Sequence, residues 1–293
     1  MSDSSAFSDR FWVTADGLKL HARDYAGADG NAKLPVVCLH GLTRNAADFG
    51  DLAPWIAATG RRVLAVDFRG RGASACDPNP ANYIPTTYAA DVLALMDAAG
   101  IAGAVFVGTS LGGIVTMLLA ASRPLAVGAA MLNDVGPSLA PEGLARIAGY
   151  AGKGEPPTTW AEAAAYAKAI NAAAFPVYGD ADWDAFARRL FEIGPDGKLR
   201  PACDPAIAVP IQAAGAAALA PDLTPLFLNL ATGRPLLLIH GALSDLLDAP
   251  RAQAMRALAP AMTYAEIPNV GHAPMLDEPE ARAALADFLD SAP

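Results

Sequence analysis

Short apolar runs separated by polar, glycine-punctuated segments set the rhythm of the first half of the chain. Positions 34–40, 62–67, 104–107 and 127–132 are near-continuous runs of valine, leucine and alanine, the pattern of strands covered on both faces. Between them, 46–59, 86–99 and 114–121 carry apolar residues at helical spacing, the second through Tyr88, Val92, Leu95 and Met96. The first two stop at Gly60 and Gly100, as helices commonly do. Ahead of these, segments 11–14 and 18–23 flank Asp16-Gly17 and predict an antiparallel hairpin. His21 lies on its second strand and reads as a surface residue. Strand alternating with helix at this spacing predicts an α/β fold with a mostly parallel, doubly wound sheet.

After 137 the rhythm stops. From 138 to 230 there is no comparable apolar strand, only alanine-rich helical segments at 160–175, 184–191 and 205–220 between Gly and Pro clusters. The strand pattern resumes at 234–240, followed by a helix at 249–258, a strand at 262–267, a loop at 268–275 and a helix over 278–289. The expected division is a core over 1–137 and 231–293, with a helical cap inserted over 138–230.

With 53% hydrophobic and 17% charged residues among 293, the chain can bury a full core. A net charge of -9 without any basic run argues against a nucleic-acid or anionic-membrane partner. No window approaches the roughly 18 apolar residues that span a bilayer, and 1–10 lacks the features of a secretory signal, so a soluble cytoplasmic protein is expected. Oligomeric state is left open. Cys38, Cys76 and Cys203 are scattered, which suits neither a disulfide framework nor a metal site; no metal or organic cofactor is expected.

The chemistry centres on Gly108-Thr109-Ser110-Leu111-Gly112, between an apolar strand and a helix. Glycine two residues to either side of a serine is what a strand-to-helix turn needs when it is tight enough to lift the hydroxyl out of the sheet. A serine hydroxyl is a poor nucleophile unless a base removes its proton and a carboxylate holds that base. His272, in the loop after the last strand, supplies the base. Asp245, just past the strand that ends at His240, is the expected acid. Strand ends of an open parallel sheet line one crevice, so the loops can converge on a small-molecule substrate.

These residues, together with His40-Gly41, the loop Asp67-Phe68-Arg69-Gly70-Arg71-Gly72 and Gly271-His272, resemble the α/β-hydrolase superfamily over nearly the whole chain outside the cap. Asp134, after the 127–132 strand, is the rival to Asp245 because some members of the superfamily that the chain resembles place their acid there. The resemblance implies an α/β-hydrolase fold and an oxyanion hole built from the backbone amides of Leu42 and Leu111. It implies hydrolysis of a carboxylic ester or lactone through an acyl-enzyme intermediate. The alternatives are a C–C bond hydrolase of aromatic ring-cleavage products and a non-catalytic ligand receptor. Serine at the turn sets the chain apart from dehalogenases and epoxide hydrolases, which place a carboxylate there. His40 is expected to brace the oxyanion loop, and Asp67 and Arg69 to pin theirs. Arg44 is a candidate for a substrate carboxylate or lactone oxygen, with pairing to a neighbouring acid as its alternative. Trp160, Phe175, Tyr178 and Trp183 are candidates for an apolar wall supplied by the cap.

Overall fold

Successive residues of the central strands bury into two different apolar clusters. Val37, Leu39, Phe106, Leu132 and Leu238 face one, while Val36, Cys38, Val105, Val107, Met131 and Ile239 face the other. Both faces are therefore dry, which is why these strands read as unbroken apolar runs. Each fully buried aliphatic side chain contributes roughly 1.5–3 kcal/mol, so neither face tolerates a polar residue cheaply.

The molecule is seen in a computed structural model that describes residues 7–28, 30, 32–218 and 222–293; positions 1–6 and the end of the helix expected over 205–220 lie outside the described residues. Strands β1 (Ser8–Val13) and β2 (Lys19–Tyr25) form the expected hairpin, turning at Gly17 with φ +86°. There follow β3 (Val36–Leu39), α1 (Leu52–Ala57), β4 (Val63–Asp67), α2 (Pro85–Ala98), β5 (Ala104–Thr109), α3 (Leu111–Ser122) and β6 (Val127–Asn133). The helix expected over 46–59 is divided. Asn45 caps a short 3-10 turn at Ala46–Phe49, and α1 starts afresh with Pro54 in its first turn, the part of a helix where a missing N–H costs least.

Between β6 and β9 come α4 (Pro141–Tyr150), α5 (Trp160–Asn171), α6 (Asp180–Leu190), β7 (Phe191–Ile193), β8 (Leu199–Pro201), α7 (Val209–Ala218) and α8 (Thr224–Ala231). The sequence predicts a wholly helical segment, but the structure adds a pair of short strands. α6 ends at Leu190, and Phe191 begins a small hairpin, β7–β8, that turns at Gly197 with φ +76°; its strands are too short to leave a readable alternation. The last helix, α8, packs on α3 and buries Phe227 and Leu230 in the same cluster as Val115 and Leu119. The chain closes with β9 (Leu236–Gly241), α9 (Ala249–Leu258), β10 (Thr263–Ile267) and α10 (Pro279–Ser291).

The eight-stranded sheet has the order β1-β2-β4-β3-β5-β6-β9-β10. Only β1–β2 and β2–β4 are antiparallel; the other neighbours are parallel. Thr109 at the end of β5 lies opposite Asn133 at the end of β6, a register that brings the next residues, Ser110 and Asp134, to one rim. Among the described residues no helix is long and apolar enough to cross a membrane.

Candidate active site

Crowding explains the glycines of the turn. A Cβ on Gly108 would lie 2.7 Å from the Gly112 carbonyl oxygen, and one on Gly112 only 2.1 Å from that of Leu39. Between them Ser110 is held at φ 52°, ψ -115°, a conformation costing a non-glycine residue roughly 1–3 kcal/mol. Three hydrogen bonds hold it there: the Ser110 amide donates to Asn133 O at 3.0 Å, and its carbonyl accepts from Gly113 at 2.9 Å and from Ile114 at 3.3 Å. The side chain is thereby fixed at the tip of the turn, on the crevice side.

Ser110 Oγ lies 2.9 Å from Nε2 of His272, and Nδ1 of that ring lies 2.8 Å from Oδ2 of Asp134. Asp134 is fully buried. Its Oδ1 accepts the Gly241 amide at 2.9 Å and its Oδ2 the Ser244 hydroxyl at 2.6 Å. A carboxylate so placed can only accept from the ring, so Nδ1 carries the proton and Nε2 presents its lone pair to the hydroxyl. The His272 loop is pinned from several sides. Asn133 Nδ2 donates to Pro274 O at 2.8 Å, Glu278 accepts the Met275 amide at 2.9 Å, and Gly271 donates to Ala174 O at 2.7 Å.

Asp245, the acid expected from the sequence, is not beside His272; its rival Asp134 is. The loop after β9 spends its length supplying donors to Asp134, through Gly241 and Ser244, and the next residue turns away. Asp245 instead takes both nitrogens of one fork of Arg146 on α4, Nη2 at 2.7 Å and Nε closer still. Burial raises the Asp245 pKa, but the Arg146 guanidinium outweighs it and holds the carboxyl below its ordinary value.

Leu111 is the first residue of α3, so its amide has no acceptor within the helix. Leu42 follows a carbonyl that His40 fixes. Phe68 N–H donates to His40 Nε2 at 3.2 Å, so the ring proton sits on Nδ1 and is donated to Gly41 O at 2.7 Å. Burial lowers the His40 pKa to about 4, keeping the ring neutral. Because the Gly41 carbonyl and the Leu42 N–H share one trans peptide, anchoring the first aims the second the opposite way. Arg71 Nε adds a bond to Leu42 O at 3.1 Å.

Asp67 pins its loop through the Ala46 and Ala73 amides, and Arg69 is shared among Asp16, Asp77 and Asp91. His21 is not a surface residue. It is buried, with Nδ1 2.7 Å from Asp67 and Nε2 2.8 Å from Asp9, partners that periodicity along one strand cannot reveal.

A cavity of about 80 Å³ opens beside Ser110 and His272. Arg44 lines it, but grips Asp48 bidentately at 2.7 and 2.6 Å and lies over the Phe186 ring at 4.1 Å. Of the four expected wall aromatics only Phe175 lines this cavity. Tyr178 and Trp183 pack on Phe175 from behind, and Trp160 lies against Arg188. Tyr150 and Phe186, which do line it, escaped the sequence reading because neither stands out from ordinary helix packing. Among the described residues no cluster of three or more His, Cys, Asp or Glu side chains is placed to hold a metal ion.

Fold, crevice and turn together define an α/β hydrolase, and the chain belongs to the Alpha/beta hydrolase family, whose profile matches residues 36–285. It is similar to a 3-hydroxybutyrate-oligomer hydrolase of Cupriavidus necator, 31% identical over 284 residues that cover 96% of each chain. It also resembles a crystallographically solved alpha/beta hydrolase from Novosphingobium aromaticivorans, with TM-score 0.89 and 43% identity over 98% of this chain and 99% of that one. A shorter match, 40% identical over 111 residues, covers 37% of this chain and 35% of an sn-1-specific diacylglycerol lipase of Mus musculus.

Proposed function

We infer that the protein is a serine hydrolase that cleaves a carboxylic ester or lactone of a small molecule. The observation that carries this reading is the unbroken chain from Ser110 Oγ through His272 to the buried Asp134, at 2.9 and 2.8 Å. Ser110 attacks the acyl carbonyl while His272 Nε2 takes its proton, and Asp134 stabilises the imidazolium so formed. The amides of Leu42 and Leu111 donate to the oxyanion. Collapse expels the alcohol, protonated by His272, and water activated by the same ring then releases the acid. Similarity to a hydrolase of 3-hydroxybutyrate oligomers, whose repeating bond is an ester, supports ester chemistry.

The test is hydrolysis of p-nitrophenyl acetate by wild type, Ser110→Ala and His272→Ala. Each variant is expected to lose about 10³-fold or more in kcat, and the double variant little beyond that, because the two groups act as a unit. Turnover by Ser110→Ala at the wild-type rate overturns the reading.

A further inference from the structure

Ser110 stands between two cavities, one lined in part by charged side chains and the other almost wholly apolar. The one beside His272 holds about 80 Å³ and mixes apolar residues such as Phe175 and Phe186 with the charged pair Arg44 and Asp48 and with Asn171. On the other side of the hydroxyl lies a chamber of about 420 Å³ whose wall includes Ile114 and Leu118 of α3, Val135, Leu139, Leu144 of α4 and Leu246. Leu42, Ser110 and Ile147 line both, so they form the partition. Only the larger chamber is also lined by Leu111.

Among the described residues, no Asp, Glu, Lys, Arg or His lines the larger chamber. Of its phenols, Tyr83 Oη donates to Asp204 at 2.6 Å, and Tyr88 Oη accepts from Arg71 at 2.9 Å. A charged group placed there would find no oppositely charged partner, at a cost far above that of burying methylenes. The chamber suits a neutral aliphatic chain, and its size falls within the range of small-molecule sites.

Which half of an ester goes where follows from the proton. Ser110 Oγ forms a bond to the acyl carbon and gives its proton to His272 Nε2; the carbonyl electrons move to oxygen, then return as the C–O bond breaks. The departing oxygen keeps the bonding pair and takes the proton from Nε2, so the alcohol half must occupy the cavity that His272 lines. The acyl half is left the far side of the partition. Resting on the serine-hydrolase reading, we propose that the 420 Å³ chamber is the acyl site and selects esters of neutral aliphatic acids of butyryl length or longer.

The experiment compares kcat/KM for p-nitrophenyl acetate, butyrate and hexanoate with that for methyl, butyl and hexyl acetate. Lengthening the acyl chain is expected to raise kcat/KM by about four-fold per methylene, about 10²-fold from acetate to hexanoate, and lengthening the alcohol to give no comparable rise. Leu144→Trp on α4 and Ile211→Trp on α7, filling the chamber from separate elements, are each expected to cut the hexanoate-to-acetate ratio at least ten-fold. Binding of methyl- to pentylboronic acid to wild type, tightening with length, gives the same reading without relying on any variant's folding. A kcat/KM for the p-nitrophenyl esters that stays flat or falls from acetate to hexanoate overturns the acyl-site assignment while leaving the hydrolase reading in place. So does a hexanoate-to-acetate ratio unchanged in both folded variants. A wild type inert to every ester overturns both.

Discussion

Asp134→Asn changes one oxygen to an amide nitrogen at a fully buried position, and the consequence can be followed atom by atom. The amide oxygen can keep the Gly241 N–H at Oδ1, which leaves an NH2 group facing both Ser244 and His272. An NH2 donates, so it turns the imidazole to the tautomer with its proton on Nε2, the nitrogen 2.9 Å from Ser110 Oγ. The base then has no lone pair for the hydroxyl. A triad acid replaced in this way lowers kcat by about 10⁴-fold, ~5.5 kcal/mol of barrier. Asp245→Asn removes instead a pair whose side chains are 26% and 38% exposed, worth ~0.2–1 kcal/mol of stability after solvent screening, and is expected to change kcat by less than about three-fold. Steady-state ester hydrolysis by both variants, with thermal unfolding to show that each is folded, makes the comparison. A collapse in Asp245→Asn beside a mild Asp134→Asn would refute the reasoning.

Three further outcomes follow from other parts of the molecule. Gly112→Ala puts a Cβ 2.1 Å from Leu39 O, backbone that cannot move aside, and is expected to lower stability by more than about 2 kcal/mol in urea unfolding. Asp48→Asn breaks the bidentate grip on Arg44; hydrolysis of an ester carrying a free carboxylate on its alcohol half is expected to rise relative to its neutral isostere, and an unchanged ratio refutes a binding role for Arg44. Burial lowers the His21 pKa, but the carboxylates of Asp67 and Asp9 outweigh it and the net shift is upward. A raised folded pKa means this stabilisation is fully present below about pH 6.5, the unfolded value, and is lost as pH rises through the folded value. The gap in Tm between wild type and His21→Gln is therefore expected to narrow from pH 6 to pH 9.

What could be read from the sequence was whatever a single segment carries within itself. Gly108, Ser110 and Gly112 announce the turn because the crowding they relieve is local, and the double-faced strands announce the sheet because their burial leaves no polar positions. The acid could not be settled that way. Both Asp134 and Asp245 follow strands, and only the pairing of Thr109 with Asn133, together with Ser244 turning its hydroxyl toward Asp134, distinguishes them. His21 was misjudged because Asp9 and Asp67 come from elsewhere in the sheet. The wall aromatics divided into lining and backing because Tyr178 stacks on Phe175 and Trp183 meets both edge-on, which leaves only Phe175 facing the cavity.

Everything proposed for this site rests on the Ser110 hydroxyl being made reactive by its neighbours. Intact-mass measurement after incubation with a fluorophosphonate reads this most directly. The expected result is one phosphonyl adduct per chain, mapped to Ser110 by peptide mass and slowed at least a hundred-fold in His272→Ala. Wild-type protein that stays unlabelled, or a Ser110→Ala variant labelled at the same rate, would contradict it.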